Sequence, residues 1–525
     1  MRKFALCLCA MFSLLILFTK TSYAAELRRP ISPEQPMWLI HLDTWNYPDP
    51  ERIIELIPDD ILPYCVFNIS LSASDNVCIS GPNVCDSWLK ACAAKNVWCT
   101  VQCASGGHSR FSDFDLTYYE RYFNEYPNFI GWNFAEQFWG FGEEDTPTFP
   151  ERLALFGEIL KICNRYGGYL IVSFTQAEYS ADMMPIAYMK RNAIVNEQLT
   201  NHPENFICCE KYTMKRGFFE IESNCLGAYL GGYAGQYGIR FDQCGWATSD
   251  EDAEPFVTAS GAIPIMEHVM LTGETVIDGP ELIWQQDTKE TNRISTTDGY
   301  SRRNWDFFSQ FVNINIDEFR KILDGTVRIL SREEVIDRTK ICVINDLNNG
   351  NFDDYTSPAS MFHGLYRQDY DGTVNNPIAT NIWWMKKTGR YPTFPQVYGL
   401  LDETAQKLIG VKKSEYSKRW PTVDAKVAEF NKLFPQEYTG DIYAAHAENT
   451  WMTYNPYQYE HTNGTVHTSS KRAKGNIPFL YNTSESISFD YAPYSMAVMK
   501  EFSDSILLYM TNYRTTSNGG EYARQ

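Results

Sequence analysis

Basic residues are scarce in this chain of 525 residues, which has 46 Lys and Arg against 65 Asp and Glu and a formal net charge of −19. A chain this acidic lacks the positive surface that non-specific binding to nucleic acid or anionic lipid requires, so we expect neither partner. Charged residues make up only 21% of the chain and aromatic residues 15%, which excludes a disordered or collagen-like protein. The composition favours a large acidic protein with a substantial core.

A long apolar run occurs only at the start of the sequence, at Phe4–Phe18, and it is shorter than the roughly 20 residues that a membrane-spanning helix needs. Arg2 and Lys3 precede this run, and a small-residue site ending at Ala24 follows it. That order is typical of a secretory signal. We therefore expect residues 1–24 to be a cleaved signal peptide, and the protein to be secreted or periplasmic with no membrane span.

Signatures of metal and nucleotide sites are also missing. None of the 14 Cys residues forms a C-x-x-C pair, and the 8 His residues form no H-E-x-x-H motif. No Gly-rich phosphate fingerprint follows a predicted strand. We therefore expect mostly buried free thiols, no metal and no cofactor. Two alternatives stay open: a disulfide near Cys78 and Cys85, and a metalloenzyme built from scattered histidines such as His41 beside Asp43.

Short apolar segments alternate with helical stretches over the first 330 residues. Their near-continuous apolar character is typical of parallel strands buried on both faces. Eight β/α units in about 290 residues are what a (β/α)₈ barrel requires, and a doubly wound open sheet is the alternative. We therefore predict an α/β fold with a (β/α)₈ TIM barrel at residues 28–330. The predicted strands are Met37–Leu42, Tyr64–Leu71, Val97–Cys103, Phe129–Phe134, Tyr169–Phe174, Phe206–Cys209, Tyr237–Phe241 and Thr275–Asp278.

Helix signals lie between these strands. Pro50 marks one helix start, and Thr148 followed by Phe-Pro-Glu marks another, which should end near Gly167. The other predicted helices are Asp86–Lys95, Tyr118–Tyr126, Met184–Leu199, Glu222–Leu230, Glu254–Leu271 and Arg303–Leu323.

The pattern changes after Leu330. Short strand-like segments dominate from there on, and the helix Val423–Leu433 interrupts them. We predict a mostly β, sandwich-like C-terminal accessory domain at residues 331–525. The residues after Ser517 carry no strand signal that would close a sheet, so one interpretation is that this domain is incomplete.

Carboxylates follow several predicted strands at the end where the functional sites of such barrels lie. Glu136, Asp242 and Glu281 are the candidate catalytic residues. In glycoside cleavage one carboxylic acid protonates the leaving oxygen, while a second carboxylate activates water or attacks the anomeric carbon. Aromatic neighbours favour the protonated acid and make Glu136 the candidate proton donor. Candidate substrate-binding residues are His41, Asp43, Trp45, Asn68, His108, Asn133, Trp139, Glu210, Lys211, Tyr212, Asp278 and Trp284.

Five long motifs in this part of the chain resemble the catalytic domain of glycoside hydrolase family 98. The resemblance covers residues 28–323, and the later region resembles that family's C-terminal β domain. The motifs are Arg28–Asn46, Asn128–Trp139, Glu210–Met214, Gly235–Asp242 and Val276–Trp284.

The resemblance implies a (β/α)₈ enzyme that cleaves internal β-1,4 linkages with inversion and without a cofactor. Glu136 matches the family's general acid, while Asp242 and Glu281 match the Asp and Glu that supply the general base. Relatives in the family include endo-β-1,4-galactosidases that release blood-group oligosaccharides and endo-xylanases that act on decorated xylan. We expect the galactosidase activity, with the xylanase activity as the alternative.

Two further interpretations remain open. A retaining barrel glycosidase would also use Glu136 and Asp242, although Ala135 stands where that class usually has Asn. A glycan-binding protein without catalysis would keep the barrel as a scaffold. All of these interpretations share an oligosaccharide or polysaccharide ligand. The sequence does not fix the oligomeric state, and we expect a monomer.

Overall fold

The computed structural model describes most of the barrel and of the C-terminal region. No helix in these described residues is long and apolar enough to cross a membrane. The described residues are 24–43, 50–71, 81–105, 116–138, 148–174, 185–212, 218–241, 262–279, 284–286, 293–295, 301–303, 305–307, 315–346, 395–397, 399, 404, 406–456, 459–462, 465–468, 470–493 and 495–512.

Eight parallel strands pair in chain order and close into a barrel, which confirms the predicted fold. The last strand pairs with the first, so no edge of the sheet is left open. All eight predicted strands are present, with ends within three residues of the prediction. They are β1 Met37–Asp43, β2 Cys65–Ser70, β3 Trp98–Ser105, β4 Phe129–Ala135, β5 Tyr169–Phe174, β6 Phe206–Tyr212, β7 Gln236–Phe241 and β8 Val276–Asp278.

Helices surround the barrel and connect successive strands. The helix after β4 has the predicted ends: Thr148 forms a capping box with Glu151, and Gly167 closes the helix in the left-handed conformation. The described helices of this region are α1 Pro50–Leu56, α2 Gly81–Lys95, α3 Leu116–Glu125, α4 Phe149–Tyr166, α5 Pro185–Met189, α6 Ala193–Asn201, α7 Phe218–Leu230, α8 Ala262–Leu271 and α9 Ile316–Leu323.

Two helix predictions are wrong in their extent. The segment Met184–Leu199 forms two helices, because the Asn192 side chain accepts hydrogen bonds from the first backbone amides of α6 and starts a new helix there. The segment Arg303–Leu323 is not one helix. Its first part belongs to short antiparallel pairs, since strand pairing across the loop after β8 overrides local helix propensity. These strands are β9 Trp284–Gln286, β10 Arg293–Ser295, β11 Ser301–Arg303 and β12 Trp305–Phe307.

Side chains alternate between the barrel interior and the helix layer along each strand. Apolar side chains fill the interior near the N-terminal ends of the strands, including Met37, Leu39 and Ile171. The next inward positions toward the C-terminal ends are polar and buried, including His41, Asn68 and Gln102. The barrel therefore has an apolar floor and a polar upper layer.

The alternation of inward and outward side chains is interrupted in β4 at Gly131. Ile130 lies in the interior cluster and Asn133 also points inward, although strict alternation would place residues three positions apart on opposite faces. The pairing of β3 with β4 shifts register beside Gly131, whose φ is +153°. A Cβ at this position would lie 2.1 Å from the Tyr169 carbonyl oxygen, so only glycine fits the bulge.

The C-terminal region is mostly β, as predicted. The described part of it contains antiparallel sheets of two, three and four strands and an unpredicted parallel sheet of three strands. Tyr509 donates a hydrogen bond of 3.0 Å to Asp317 on α9, which joins this region to the barrel. The elements are α10 Arg332–Thr339, β13 Ile341–Ile344, β14 Gln396–Val397, β15 Ile409–Lys412, α11 Tyr416–Arg419, α12 Val423–Leu433, β16 Thr439–Gly440, β17 Tyr443–Ala447, β18 Thr450–Tyr454, β19 Tyr459–Thr462, β20 Thr465–Thr468, β21 Ala473–Pro478, β22 Ser486–Tyr491, β23 Ser495–Glu501 and β24 Ile506–Asn512.

The cysteines of the described residues include nine buried free thiols, which confirms that prediction for them. Cys85 is one of the nine, so the structure shows no disulfide at this residue. Cys78, its suggested partner, lies outside the described residues.

Candidate active site

A strained turn at the end of β4 sets the position of Glu136. This residue has a φ of +59°, a left-handed conformation that costs a residue other than glycine on the order of 1 kcal/mol or more. The Glu136 amide donates a 2.9 Å hydrogen bond to the Ser173 carbonyl of β5. Gln137 donates to the Ala135 carbonyl at 2.6 Å, and buried Arg152 of α4 donates to the Gln137 carbonyl. The surrounding fold therefore holds the strained backbone in place.

This turn directs the Glu136 side chain across the top of the barrel. Its carboxylate accepts a hydrogen bond from the Lys211 ammonium group on β6, although β5 lies between β4 and β6. The inward residue of β5 at this level is Ser173, whose small side chain leaves room for the contact. The Lys211 side chain is 3% exposed and the Glu136 side chain 18%. A ligand at the mouth of the barrel can therefore reach the carboxyl group of Glu136 but not its cation.

We predict that Lys211→Met lowers kcat by about 10-fold to 100-fold, because Lys211 holds the Glu136 carboxyl group in position at the mouth of the barrel. Steady-state kinetics measure this loss.

Lys161→Met is the matched control, since Lys161 is a surface lysine that pairs with Glu158 at 2.9 Å. It should leave kcat unchanged. A Lys211→Met enzyme with the wild-type kcat would show that Lys211 does not hold Glu136 in its catalytic position.

A buried polar network lies inside the barrel below this mouth, with Asp278 of β8 at its centre. Asn133 of β4 donates a 3.2 Å hydrogen bond to Asp278, and the Arg240 guanidinium of β7 lies 3.6 Å from the same carboxylate oxygen. His41 of β1 lies 3.9 Å from the other oxygen. Four predicted site residues are thereby connected, because Asn68 of β2 also contacts His41 at 3.3 Å.

Sequence reasoning missed several members of this network. Gln102 of β3 accepts hydrogen bonds from Arg240 at 2.6 Å and from Asn68 at 3.3 Å, and Thr100 of β3 donates a 3.0 Å hydrogen bond to Asn68. The available signal was their polarity at inward positions of a strand that is predicted to be buried. Arg240 was also absent from the predicted site residues, and the structure shows it beside Asp278.

Glu210 lies on the opposite face of β6 from Lys211. It is fully buried between the barrel and the helices, where Tyr237 donates a 2.9 Å hydrogen bond to it and His268 of α8 lies 3.1 Å away. Its neighbour Glu274 is also buried, and this burial raises the pKa of Glu274 to about 8. The structure therefore does not bring Glu210 together with Glu136, and its position does not support the predicted contact with substrate.

The remaining predicted residues divide into two groups. The structure describes the backbone of Asp43 in β1, Tyr212 in β6 and Trp284 in β9, but not the side chains of these three residues. The others lie outside the described residues, although Asp242 follows β7 directly in sequence and Glu281 follows β8 after two residues. These others are Asp242, Glu281, Trp45, His108 and Trp139.

Comparisons with known proteins agree with this fold. The sequence profile of glycosyl hydrolase family 98 matches residues 25–328, and the profile of the family 98 C-terminal domain matches residues 332–522. The chain is 24% identical over 535 residues to a blood-group-substance endo-1,4-beta-galactosidase of Clostridium perfringens. The match covers 94% of this chain and 61% of that relative, so the chain spans less than two thirds of its length.

Solved structures show the same fold. The native catalytic module of a family 98 glycoside hydrolase from Streptococcus pneumoniae TIGR4 superposes with a TM-score of 0.69 at 18% identity. The match covers 94% of this chain and 83% of that one. The same module in complex with the LewisY pentasaccharide blood group antigen superposes over the same shares of both chains, also at 18% identity, with a TM-score of 0.67.

Proposed function

Because this chain belongs to glycoside hydrolase family 98, we propose that it hydrolyses internal β-1,4-galactosidic bonds of blood-group-type glycans with inversion. The observation that carries the proposal is the position of Glu136. Its carboxyl group stands at the open end of the barrel, held by a strained turn and a buried cation, and remains partly exposed. A carboxyl group that is fixed and partly exposed at this place suits a proton donor.

In the proposed mechanism Glu136 protonates the glycosidic oxygen as its bond to the anomeric carbon breaks. The developing Glu136 carboxylate is then stabilised by Lys211, which already contacts it. Asp242, assisted by Glu281, takes a proton from the water that attacks the opposite face of the sugar. Both base residues follow strand ends in the sequence, which supports placing them at the same mouth as Glu136.

Two observations support a blood-group-type substrate. The similar protein of Clostridium perfringens is named for its action on blood-group substance, and the similar module of Streptococcus pneumoniae has been solved with the H-disaccharide and LewisY antigens. The polar interior of this barrel also suits a sugar. His41, Asn133 and Asp278 belong to the polar upper layer beneath the mouth, where hydrogen bonds to a sugar can form.

Product analysis tests the substrate. Purified protein is incubated with a blood-group A type 2 glycan and, separately, with glucuronoarabinoxylan, and the products are identified by mass spectrometry. We expect a blood-group oligosaccharide from the first substrate and no product from the second. Xylo-oligosaccharides would instead establish the xylanase alternative. No product from either substrate, with binding retained, would establish the glycan-binding alternative.

The mechanism has its own test. NMR of the first-formed product should show the α-anomer, because inversion converts a β-linkage into an α-hemiacetal. A β-anomer formed first would show a retaining mechanism, with Asp242 as the candidate nucleophile.

The proposal also includes export and action as a monomer. The signal-like residues 1–24 support export, and glycans of this class are found outside cells. N-terminal sequencing of the mature protein should begin after Ala24 if this part of the proposal is correct.

A further inference from the structure

We propose that Glu210, Glu222, His268 and Glu274 form a structural site for a divalent metal ion, and that Zn²⁺ is the ion that fits these donors. The four residues come from separate segments: β6, α7, α8 and the connection between α8 and β8. They meet behind the barrel wall, on the outer face of β6, and all four are fully buried. This site is distinct from the mouth of the barrel.

The spacing of the donor atoms is that of a metal site. The His268 Nε2 atom lies 3.1 Å from a Glu210 oxygen and 3.2 Å from a Glu222 oxygen, and the donor atoms of these three residues all lie within 4.8 Å of one another. Zinc bound at about 2.0–2.1 Å in a tetrahedron holds its ligand atoms roughly 3.3 Å apart. The observed separations therefore leave room for one ion among them.

Glu222 supplies the independent sign that a ligand belongs here. Neither of its carboxylate oxygens accepts a hydrogen bond from the described residues, although its side chain is fully buried and directed at His268. A buried carboxylate without hydrogen bonds is costly unless a cation compensates it. A metal ion between Glu222, Glu210 and His268 would supply that compensation.

The charges in the cluster lead to the same conclusion. Among the residues that the structure describes, three carboxylates converge here with one imidazole, which offers at most one positive charge, and the Tyr237 hydroxyl group donates a hydrogen bond to Glu210. Carboxylates and a single imidazole form a donor set that zinc accepts. The alternative to a metal ion at this site is that the carboxylates share protons with one another.

A bound ion would connect β6 to the helices that pack on it. Glu210 directly precedes Lys211 in β6, and Lys211 holds Glu136 on the other face of the strand. The ion would thus fix α7 and α8 against the strand that carries the cation of the candidate active site. Its role would be structural, because no substrate can enter this enclosed layer.

The experiment measures metal content and metal position in the wild-type chain. The protein is unfolded in a denaturant that contains EDTA. It is then refolded with or without one equivalent of Zn²⁺ and desalted. We expect about one zinc per chain by inductively coupled plasma mass spectrometry, and a melting temperature roughly 2–4 °C higher for the zinc-loaded protein. An anomalous difference map at the zinc edge should show a peak between Glu210, Glu222 and His268.

Variants separate this site from adventitious binding. Glu222→Gln and His268→Asn should each reduce the zinc content at least 10-fold. The double variant His202→Gln, Glu204→Gln removes a surface histidine–carboxylate pair at 3.4 Å and should keep the full zinc content.

The wild-type measurements decide the proposal even if the buried variants fail to fold. Refolded wild-type protein with no stoichiometric zinc and no anomalous peak would overturn the proposal and leave protons as the occupant. A peak from another divalent metal at this position would support the site and overturn its assignment to zinc.

Discussion

Glu136→Gln should lower kcat on the natural glycan by about 10³-fold, because glutamine cannot donate the proton that the leaving sugar oxygen needs. The change in KM should be small, since glutamine keeps the shape of the side chain and the backbone hydrogen bond to Ser173. Steady-state kinetics with the blood-group substrate measure both constants.

A second substrate separates proton donation from misfolding. An aryl glycoside with a dinitrophenolate leaving group needs no proton, so Glu136→Gln should cleave it at a rate within about 10-fold of wild type. Glu158→Gln is the control, since Glu158 lies on the surface of α4 in a pair with Lys161 and should not change either rate. Equal losses on both substrates would reject Glu136 as the general acid.

Asp278→Asn should lower the free energy of unfolding by about 3 kcal/mol. Asp278 is fully buried beside the Arg240 guanidinium at 3.6 Å, and the substitution removes this negative charge from beside the buried cation, which also donates a hydrogen bond to Gln102. Removal of one partner from a buried ion pair typically costs about 3–5 kcal/mol, and the amide oxygen of asparagine keeps part of the network. Urea denaturation followed by fluorescence gives the value.

Asp60→Asn provides a matched surface comparison. Asp60 accepts hydrogen bonds of 2.7 and 2.9 Å from Arg320, and this contact lowers the pKa of the Asp60 carboxyl group. Both partners are well exposed, so the loss should stay within about 1 kcal/mol. Similar losses for Asp278→Asn and Asp60→Asn would show that burial of the Asp278 pair carries no special weight.

The candidate site illustrates how far local sequence information reaches. Glu136 could be predicted because an acid directly follows a buried strand in an aromatic motif. The contact with Lys211 could not be predicted, because it spans two strands and depends on a left-handed residue, a small serine and the closure of the barrel. Glu210 was predicted to bind substrate, and the structure does not support that prediction. It stands one position before Lys211, and the period of two in a strand places it on the other face of β6.

Helices and strands that depend on interactions between residues close in sequence agree with the sequence prediction. The eight barrel strands are short apolar runs that must be buried on both faces, and Thr148 and Gly167 end α4 through bonds within the same segment. Elements that depend on pairing with residues distant in sequence do not agree with it. β11 and β12 pair with β10 and β9, and Arg303–Leu323 is therefore not the single helix that was expected.

The sequence by itself determined the alternation of strands and helices, the acidic character of the chain and the identity of the candidate acid, because each depends on residue type and near neighbours. Only the tertiary structure decided which buried charges meet. Inside the barrel Asp278 meets Arg240 and His41 from the two neighbouring strands, while Glu210 meets Glu222 and His268 behind the barrel wall. A buried charge is compensated by whichever group the closed barrel brings within a few ångströms of it. The distance between two such groups depends on the packing of strands and helices, and the order of residues in the sequence does not give it.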